Sequence, residues 1–589
     1  MRLSETGCHV LLDDARDGSG PARLYADPVE VVRADTISEV AGALDAVRAG
    51  LARGLNAAGF LSYEAGGAFE PRASASRRDA APLLWFGLFT GWREVADVAA
   101  LLPDPRGAWV GAAEPEIDFA DYRERAEAVA GWIVGGDIYQ ANLTFRASVP
   151  ALGDPLALYS ALRGRAQAGY GAVIETGDTT IVSLSPELFF ALDGQTLTAR
   201  PMKGTAPRGD TPDEDAALAR ALADDEKQRA ENLMILDLMR NDLTRIAAPG
   251  SVAVPERFVV ESYPTVHQMV SGVTARLGEG LDAVDALSAL FPCGSITGAP
   301  KIRAMQIIDE VERESARGPY TGSIGHIDAS GTACFNVAIR TLWRQGEGRF
   351  SIGLGSGYVA DSEPASEWRE CLAKGAFLTQ GQRNFDLIET MAFDPRIGIA
   401  LLERHLARMK QSAATFGFAF DRHVTRNELQ AATFRLREPA RIRLMLSKTG
   451  NIAVEIAPMP PAPAMPVPVV IAPLPVAPED FRLRHKTSDR DFYDHARRES
   501  GAFETLFTLP DGSLSEGSFT NIFVARGDRL ATPPVNHALP GVLRAELIES
   551  GRAFEAVLTP SDLAQDFFIG NAVRGLIRAR LVADAQAPV

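Results

Sequence analysis

The sequence changes character once, near residues 379–384 (TQGQRN), where one series of predicted strands and helices ends and another begins. Beyond this point, a predicted strand, FDLIETMAF, is followed by a predicted helix, LLERHLARMKQSAATFGF. A chain of 589 residues is also too long to fold around one hydrophobic core. We therefore expect at least two domains, with a boundary at this break.

Before the break, helical and extended patterns alternate. Residues 120–136 have apolar side chains at helical spacing and end at glycines, and residues 212–246 predict a long helix with one interruption. Strand-like segments such as RFVVESY and RFSIGLGSGYVA follow. Long strands and helices in one region predict α+β or α/β layers.

After the break, residues 457–479 are rich in proline, which a helix interior does not tolerate. This composition predicts an extended connector. The stretch between the break and the connector is short for a domain. We therefore expect the connector to join two lobes of a single C-terminal domain, residues 383–589.

Charge and cysteine content exclude several classes of protein. The net charge of −16 argues against a nucleic-acid-binding protein. The four cysteines form no CxxC pair, so neither a disulfide framework nor a zinc site is indicated, as expected in a reducing cytosol. The N-terminal residues do not have the pattern of a signal peptide, and no apolar run is long enough for a membrane span. We expect a cytoplasmic protein that binds neither nucleic acid nor membrane.

Charged residues and glycines between 137 and 374 predict a pocket for an anion and a metal. Glu367, Glu370 and Lys374 share one face of a predicted helix, and Glu231 lies on the apolar side of another. Two carboxylates from different helices, completed by a ligand's own oxygens, suit Mg²⁺. The loops GSITGAPK and GLGSG allow backbone N–H groups to approach an anion, and Arg340 is able to grip a carboxylate through two hydrogen bonds. Together they predict a site for a small polycarboxylate and a divalent metal.

Five strings carry a family resemblance: GDIYQANLT, SLSPELFF, RPMKGTAPRG, FPCGSITGAPKIRAMQIIDE and GLGSGYVADSEPASEWRECLAK. In this order they resemble the chorismate-utilising enzymes, from about residue 115 to residue 380. The resemblance implies an antiparallel β-sandwich with outer helices, with residues 1–114 as the N-terminal part of the same domain. It also implies that Glu231 and Glu370 bind Mg²⁺ and that Glu187, in SPE, is the general acid near the leaving hydroxyl. The implied chorismate contacts are Gly204, Thr205, His267, Ser295, Tyr320, Arg340, Gly355, Gly357 and Lys374.

Two positions indicate the branch of this family. Members that activate water carry a lysine where this chain has Gln140, and anthranilate synthases typically carry a small residue where it has Lys203. The aminodeoxychorismate branch carries KGT, as this chain does. A desolvated lysine near a metal is partly deprotonated and able to attack an unsaturated ring. We expect Lys203 to attack C2 with loss of the C4 hydroxyl, and ammonia then to enter at C4 and expel the lysine, which gives 4-amino-4-deoxychorismate.

The ammonia for this reaction needs a source. Class I glutaminases require a nucleophilic cysteine in a glycine-flanked turn and a downstream His-x-Glu, and none of the four cysteines lies in such a setting. We therefore expect a separate glutaminase subunit, or free ammonium, to supply the ammonia.

The strings RLRHKTSDRDFYD, LSEGSFTN, ALPGVLRAEL and FIGNAVRGL follow the break. Over about residues 383–580 they resemble the fold-type IV pyridoxal 5'-phosphate (PLP) enzymes, which include transaminases and aminodeoxychorismate lyase. The resemblance implies a two-lobed α/β domain and a homodimer through it. It implies that Lys486 binds PLP covalently and that Glu516 pairs with the pyridine nitrogen, which keeps the ring protonated as an electron sink. The implied phosphate contacts are Arg408, Val542, Leu543 and Asn571.

The two resemblances together predict a bifunctional enzyme of p-aminobenzoate and folate synthesis, with an aminodeoxychorismate synthase step and a PLP-dependent lyase step. In the second step, Lys486 takes the C4 proton as a general base and pyruvate leaves from C3. Aromatisation of the ring drives this elimination, so no amino acceptor is needed.

Two alternatives stay open. The first is an anthranilate synthase fused to a transaminase-like domain, because fold-type IV motifs alone do not separate transaminases from the lyase. The second is a non-catalytic protein that binds chorismate or PLP and regulates a partner. Against the second, the sequence contains every group that the chemistry needs: Lys203, Glu187, Glu231, Glu370, Lys486 and Glu516.

Overall fold

The computed structural model describes residues 7–16, 18–73, 81–263, 266–312, 315–564 and 566–582. The chain folds into two units. Unit 1 comprises residues 1–105, 112–151 and 155–381, and unit 2 comprises residues 106–111, 152–154 and 382–589. None of the helices in the described ranges combines the length and the hydropathy of a transmembrane segment.

The elements up to residue 381 include most of the strands of the chain. The strands are β1 (His9–Asp13), β2 (Ala22–Ala26), β3 (Glu30–Ala34), β4 (Asn56–Leu61), β5 (Leu84–Phe89), β6 (Arg93–Val95), β7 (Trp109–Val110), β8 (Glu114–Pro115), β9 (Gln140–Val149), β10 (Ala151–Leu152), β11 (Tyr170–Glu175), β12 (Thr179–Ser185), β13 (Leu188–Asp193), β14 (Thr196–Arg200), β15 (Met202–Pro207), β16 (Ala253–Ser262), β17 (Val266–Arg276), β18 (Gly298–Ala299), β19 (Ser323–Ile327), β20 (Ala333–Asn336), β21 (Thr341–Gln345) and β22 (Phe350–Tyr358). The α-helices are α1 (Ile37–Ala52), α2 (Gly66–Phe69), α3 (Val98–Leu101), α4 (Phe119–Val134), α5 (Pro155–Ala166), α6 (Pro212–Asp224), α7 (Glu226–Thr244), α8 (Ala283–Leu290), α9 (Lys301–Val311) and α10 (Pro364–Lys374).

Unit 1 is built on two antiparallel sheets, each with ten strands in the described part of the chain. One sheet has the order β18-β9-β22-β21-β12-β11-β1-β2-β6, with β8 beside β9, and the other has the order β15-β17-β14-β13-β20-β19-β4-β5-β3, with β16 beside β17. Both contribute to one apolar core, for example through Val10 and Ile174 from the first sheet and Phe60 and Ile324 from the second. The sheets therefore pack face to face, and the predicted β-sandwich is confirmed.

The helix predicted over residues 212–246 is interrupted once, as expected. Asp225 separates α6 from α7, and its side chain accepts a hydrogen bond from the backbone N–H of Gln228 in the first turn of α7. Helix α7 packs against β15 and β17, and its buried side chains include Asn232, Ile235 and Met239. This helix therefore presents a partly polar face to β15.

Aromatic rings hold helix α10 in place. The ring centroid of Trp368 lies 4.7 Å from that of Phe145 on β9 and 5.2 Å from that of Tyr122 on α4. Helix α10 also packs against β22. The acidic residues of α10 are thereby held next to β9 and β22, near one end of the first sheet.

Unit 2 contains the remaining elements. The strands are β23 (Leu387–Asp394), β24 (Gly398–Ile399), β25 (Ala440–Leu446), β26 (Ile452–Pro458), β27 (Val467–Pro473), β28 (Glu504–Thr508), β29 (Leu514–Gly517), β30 (Asn521–Arg526), β31 (Arg529–Thr532), β32 (Ala553–Glu555), β33 (Phe567–Asn571) and β34 (Gly575–Leu581). The helices are α11 (Leu402–Phe416), α12 (Arg422–Thr433), α13 (Phe481–Arg484), α14 (Asp491–Ser500) and α15 (Val542–Glu549).

Two sheets divide unit 2 into two lobes. The smaller has the order β24-β23-β25-β26, and the larger has the order β29-β28-β27-β34-β33-β30-β31-β32. Leu406, Met409 and Phe416 of α11 pack on the smaller sheet at helical spacing. Trp109 belongs to the same core, and its ring centroid lies 5.0 Å from that of Phe416.

The proline-rich segment 457–479 is not a connector throughout. It contains β27, which pairs in parallel with β28 and with β34 in the middle of the larger sheet. Val467 and Val469 are buried, whereas Pro468 between them is exposed. The alternation of valine and proline hides a strand pattern that the proline content alone does not reveal.

Candidate active sites

The backbone of Lys203, on β15, is held from two sides. Its carbonyl oxygen accepts a hydrogen bond of 3.0 Å from Asn232 Nδ2 on α7. Gly204 has a φ of +99°, and an added Cβ would lie 3.2 Å from both Met269 Cβ and Gln228 Oε1. Glycine therefore suits this position both in conformation and in space.

The side chains of Lys203 and Gln140 meet at Gly357. A Cβ added to Gly357 would lie 2.8 Å from Lys203 Nζ and 2.8 Å from Gln140 Nε2. Gln140 is buried, and its Nε2 makes no hydrogen bond with any described residue. An amine and an unsatisfied amide therefore face one small space, which suits the binding of a polar ligand.

Five charged side chains converge around this space. Burial lowers the pKa of Lys203, and the positive charge of Lys374 lowers it further. The carboxylates of Glu187, Glu231 and Glu370 act in the opposite direction. The structure thus brings together residues that the sequence presents in four separate motifs.

Glu187 lies between β12 and β13 and is buried. Its Oε1 atom makes no hydrogen bond with any described residue. Burial raises the pKa of Glu187 to about 7, although a hydrogen bond with Ser295 and the positive charge of Lys203 both act to lower it. A carboxyl group with this pKa is about half protonated at neutral pH, so it is able to donate a proton.

Carboxylates from α7 and α10 form the candidate metal site. Burial raises the pKa of Glu231, and the negative charges of Glu367 and Glu370 raise it further. The positive charge of Lys203 acts to lower it. Glu367 accepts a hydrogen bond from Ser362 at Oε1 but leaves its buried Oε2 without a partner among the described residues. These groups fit a divalent cation, which would remove the repulsion between them.

The metal site is not preassembled as a cage. No group of three or more His, Cys, Asp and Glu side chains in the described ranges is arranged to hold a metal. Mg²⁺ typically takes one or two protein carboxylates and completes its shell with water and ligand oxygens, so this arrangement is compatible with it. Lys374 Nζ lies 2.8 Å from Glu370 Oε1 and 2.9 Å from the carbonyl oxygen of Gly355. This ion pair outweighs burial and lowers the pKa of Glu370.

Arg340 and Tyr320 also lie in protected positions. Arg340 has a left-handed backbone, with φ +50°, and its half-buried guanidinium makes no hydrogen bond or ion pair with the described residues. Burial lowers its pKa. A desolvated guanidinium without a counter-ion indicates an anionic ligand. The ring of Tyr320 covers Gly353, where an added Cβ would lie 1.9 Å from Tyr320 Cδ1.

Two predicted chorismate contacts have side chains that are already engaged. His267 is buried, with Nδ1 2.8 Å from Ser262 Oγ and Nε2 2.9 Å from Asp215 Oδ1. The Thr205 side chain is exposed and donates a hydrogen bond of 3.0 Å to Gln268 Oε1. Their predicted contacts with chorismate stay predictions.

Lys486 follows α13 in unit 2, and its backbone carbonyl accepts a hydrogen bond from β23. Its Nζ makes no hydrogen bond with any described residue. Burial lowers the pKa of Lys486 to about 7. The negative charge of Glu389 acts to raise this pKa, whereas the positive charges of Arg408, Arg490 and Arg443 lower it further. A buried amine with this pKa is substantially neutral at neutral pH and is therefore nucleophilic.

Glu516 is buried on β29 and accepts a hydrogen bond of 2.5 Å from the hydroxyl of Tyr493 on α14. Burial raises the pKa of Glu516 to about 7, against Arg490 and the Tyr493 hydroxyl. The guanidinium of Arg490 lies over the Tyr493 ring, 4.6 Å from its centroid. A buried carboxyl group with these neighbours is suited to accept a hydrogen bond from the N–H of a protonated pyridine ring.

The candidate phosphate site combines a guanidinium with a helix N-terminus. Arg408 donates from Nε and one terminal nitrogen to Glu389, over 2.8 and 2.7 Å, and from the other terminal nitrogen to the carbonyl of Pro540, over 2.9 Å. Pro540 lies two residues before α15. The N–H groups of Val542 and Leu543, in the first turn of α15, have no acceptor within the helix. These donors fit a phosphate group.

Asn571 supports this region through backbone contacts. Its Nδ2 donates to the carbonyl of Phe519 over 3.2 Å, and its Oδ1 accepts from the N–H groups of Val573 and Arg574 over 3.0 and 2.9 Å. The hydrogen bonds of this side chain therefore order two loops. Its predicted contact with the phosphate stays a prediction.

The sequence alone does not mark Asn232, Glu389 or Tyr493 as functional residues. Each is a buried polar residue on an element that is otherwise partly apolar. Asn232 directly follows Glu231, and Glu389 lies at an inward position of the strand LIETMAFD. A polar residue at an inward-facing position of the pattern is the signal that would have identified them.

Comparisons with known proteins identify two families along the chain. Residues 11–380, more than half of the chain, match the family described as chorismate binding enzyme, and residues 386–582 match the amino-transferase class IV family. Aminodeoxychorismate synthase component 1 from Salmonella typhimurium is 40% identical over 341 residues, which cover 54% of this chain and 74% of that protein. Anthranilate synthase component 1 1 from Haloarcula marismortui is 45% identical over 265 residues, which cover 45% of this chain and 54% of that protein.

A solved structure supports the same conclusion for the fold. The crystal structure of anthranilate synthase component I from Streptococcus pneumoniae TIGR4 is similar with a TM-score of 0.54 and 26% identity. The similarity covers 62% of this chain and 93% of that one. The chain therefore belongs to the family of chorismate binding enzymes, and it carries an amino-transferase class IV region after the chorismate-binding one.

Proposed function

We propose that this enzyme makes p-aminobenzoate from chorismate in two steps. Unit 1 would aminate chorismate at C4 with the help of Mg²⁺, and unit 2 would use PLP to eliminate pyruvate from 4-amino-4-deoxychorismate. The similarity to aminodeoxychorismate synthase component 1 supports the first step, and the amino-transferase class IV match supports PLP in unit 2. The free cysteines are compatible with a cytoplasmic enzyme.

The meeting of Lys203 Nζ with Gln140 Nε2 at Gly357 carries the proposal for unit 1. A lysine with a lowered pKa, inside a cluster of three glutamates, is equipped as a nucleophile rather than as a surface charge. Arg340 would bind a carboxylate of chorismate. Glu231 and Glu370 would hold Mg²⁺, which supplies positive charge for a second carboxylate.

In the proposed amination, each bond that forms is matched by a bond that breaks, and one proton moves to and from Glu187. Glu187 gives its proton to the C4 hydroxyl as the C4–O bond breaks, and the neutral amine of Lys203 forms a bond to C2. Ammonia then bonds to C4, the bond between Lys203 and C2 breaks, and the proton released by the new amine returns to Glu187. The pKa of Glu187, about 7, suits a group that must both give and take this proton.

The ammonia would come from a separate glutaminase subunit or from free ammonium. The name of the Salmonella relative, component 1, supports a second component. A homodimer through unit 2 stays a prediction.

In unit 2, PLP would supply an electron sink for the charge that develops at C4. Lys486 would take the C4 proton at Nζ, and the C3–O bond to pyruvate would break as the ring becomes aromatic. Glu516 would keep a proton at the pyridine nitrogen. Arg408 and the first turn of α15 would bind the phosphate.

The test is a product assay on the purified protein with chorismate, Mg²⁺, PLP and ammonium chloride. We expect p-aminobenzoate, and we expect Lys203→Ala to reduce its formation at least 100-fold. The exposed Lys448→Ala variant is the matched control and should keep full activity. Formation of anthranilate by the wild-type protein would contradict the assignment.

The second candidate is an anthranilate synthase fused to a transaminase-like domain. The identity with the Haloarcula anthranilate synthase favours it. Such an enzyme should tolerate Lys203→Ala, and its second unit should require a 2-oxo acid as amino acceptor. Omission of every 2-oxo acid from the assay therefore separates the two candidates.

A further inference from the structure

We propose that Glu389 is a positioning residue for the phosphate end of the PLP site, because its carboxylate fixes both the fork of Arg408 and the ring of His405. This inference rests on the proposed use of PLP by unit 2. It assigns a task to a buried carboxylate that the proposed chemistry does not itself require.

Glu389 lies on β23 at an inward position, among apolar residues of the smaller lobe such as Leu387 and Met391. A carboxylate in such a place is unfavourable unless donors surround it. Three donors do: Arg408 Nε and one terminal nitrogen of Arg408, over 2.8 and 2.7 Å, and His405 Nδ1, over 2.6 Å. These partners outweigh burial and hold the pKa of Glu389 well below its usual range.

The contact with Glu389 determines which way Arg408 points. Glu389 occupies the Nε edge of the guanidinium, and the carbonyl of Pro540 occupies one N–H of the remaining terminal nitrogen. Two of the five guanidinium N–H groups are left, one on each terminal nitrogen. The bond to Pro540 places this end of the guanidinium next to the chain that enters α15. Without Glu389, the long side chain of Arg408 would have several other rotamers.

His405 gives a second, independent indication of a ligand. Its Nδ1 lies 2.6 Å from the Glu389 carboxylate, and burial lowers the pKa of the ring, which favours the neutral form with Nε2 as an acceptor. Nε2 is buried and makes no hydrogen bond with any described residue. Lys486 acts electrostatically on His405, so the ring lies in the neighbourhood of the reactive amine. His405 and Arg408 both contact Glu389, and each keeps a polar group without a protein partner among the described residues, which is suited to a polar ligand.

The experiment compares PLP with pyridoxal, which lacks the phosphate. Apo protein of the wild type, Glu389→Gln and Glu403→Gln is titrated with each compound, and binding is followed by absorbance. Glu403 is the matched control, because it lies on the same helix as Arg408 but pairs at the surface with Arg422 and Arg426. Thermal unfolding of each apo protein reports on the fold.

We expect Glu389→Gln to weaken PLP binding at least 20-fold and to change pyridoxal binding less than 3-fold. Glu403→Gln should change neither. Equal weakening of both compounds, or no change for PLP, would overturn the inference, because a purely structural role for Glu389 does not distinguish a phosphate. If the wild type binds neither compound at Lys486, the proposed PLP function itself fails, and the two failures are thus distinguishable.

A second variant serves if Glu389→Gln does not fold. His405→Phe removes one of the three donors to Glu389, so the carboxylate holds Arg408 less firmly although Arg408 itself is unchanged. We expect it to weaken PLP binding several-fold more than pyridoxal binding. His405→Asn keeps a donor at the Nδ1 position and should restore most of the PLP affinity. Failure of His405→Asn to do better than His405→Phe would count against the positioning role.

Discussion

Asn232 Nδ2 donates a hydrogen bond of 3.0 Å to the backbone carbonyl of Lys203. The residue that follows the candidate metal ligand Glu231 thereby holds the strand that carries the candidate nucleophile. Asn232 also donates to Met269 and accepts from Ser271. A single buried amide therefore links the metal side of the site to its nucleophile.

Replacement of Asn232 with alanine should remove the amide donor to two buried carbonyls and the acceptor of the Ser271 hydroxyl. An unsatisfied buried group costs about 1–3 kcal/mol, so the free energy of unfolding should fall by at least that amount. We also expect kcat for the amination to fall at least 10-fold, because Lys203 loses its support. Asn241→Ala, at an exposed position of the same helix, is the control for both denaturation and kinetics. Equal losses of stability and of kcat in Asn232→Ala and Asn241→Ala would refute a supporting role for Asn232.

Gly357→Ala should separate activity from stability. The added methyl group would lie 2.8 Å from Lys203 Nζ and Gln140 Nε2, which are the ends of flexible side chains that can move away. We expect a thermal midpoint close to that of the wild type but a fall in activity of about 100-fold, because small displacements of reacting groups are costly. Gly131→Ala, in open space on α4, should leave activity unchanged. Full activity of Gly357→Ala would show that the reaction does not depend on the positions of Lys203 Nζ and Gln140 Nε2 next to Gly357.

Glu187→Gln should be more stable than the wild type at alkaline pH. The pKa of Glu187 rises from 4.5 to about 7 on folding, so its contribution to stability is complete below pH 4.5 and is lost as the pH rises through 7. The shift corresponds to about 3 kcal/mol at pH 8.5 and to little at pH 4. Denaturation at the two pH values measures the difference. The variant should lose amination activity at both, and a gain in stability independent of pH would contradict the assignment.

Removal of Mg²⁺ by EDTA should abolish the amination, and added Mg²⁺ should restore it. Glu231→Gln should raise the half-saturating Mg²⁺ concentration at least 10-fold, because the ion loses a charged oxygen ligand. Glu226→Gln, exposed in the first turn of the same helix, provides the comparison. Unchanged Mg²⁺ dependence in Glu231→Gln would exclude this residue as a ligand.

The rate of covalent PLP incorporation at Lys486 should follow the titration of its amine. Because the pKa of Lys486 is about 7, the rate should rise about 10-fold per pH unit below 7 and level off above it. Borohydride reduction and mass spectrometry locate the product. The exposed Lys410 serves as an internal control for labelling outside the site. A rate that still rises steeply at pH 9 would indicate an ordinary lysine.

Much of the candidate site could be predicted because its residues lie in distinctive local strings. Lys203 next to glycine, the glutamates of α10 and Lys486 in a basic stretch all stand out without a structure. The family resemblance implied that the residues of unit 1 form one site, but the contacts between their side chains could not be predicted. The contact between Lys203 and Gln140 depends on the register of β9 and β22, which places Gly357 opposite Asn142. That register follows from pairing along the whole strand and not from either string.

Residues with partners far along the chain explain the remaining differences. The string around His267 does not reveal that Asp215, 52 residues away, contacts its Nε2 atom. Strand β27 was hidden because prolines outweighed the valines that pair with β28. In both cases a long-range contact decided the outcome, and local propensity carries no information about such contacts.

Trp109 has a practical consequence for dissecting this enzyme. Residues 106–111 and 152–154 belong to unit 2 although unit 1 surrounds them in the chain. A fragment that begins at residue 382 would therefore lack the indole that packs on Phe416. Replacing a buried aromatic ring with a cavity typically costs about 3–5 kcal/mol. No single cleavage point in the chain therefore separates the two units. Expression of unit 2 alone would require a design that supplies the core residues of 106–111 and 152–154.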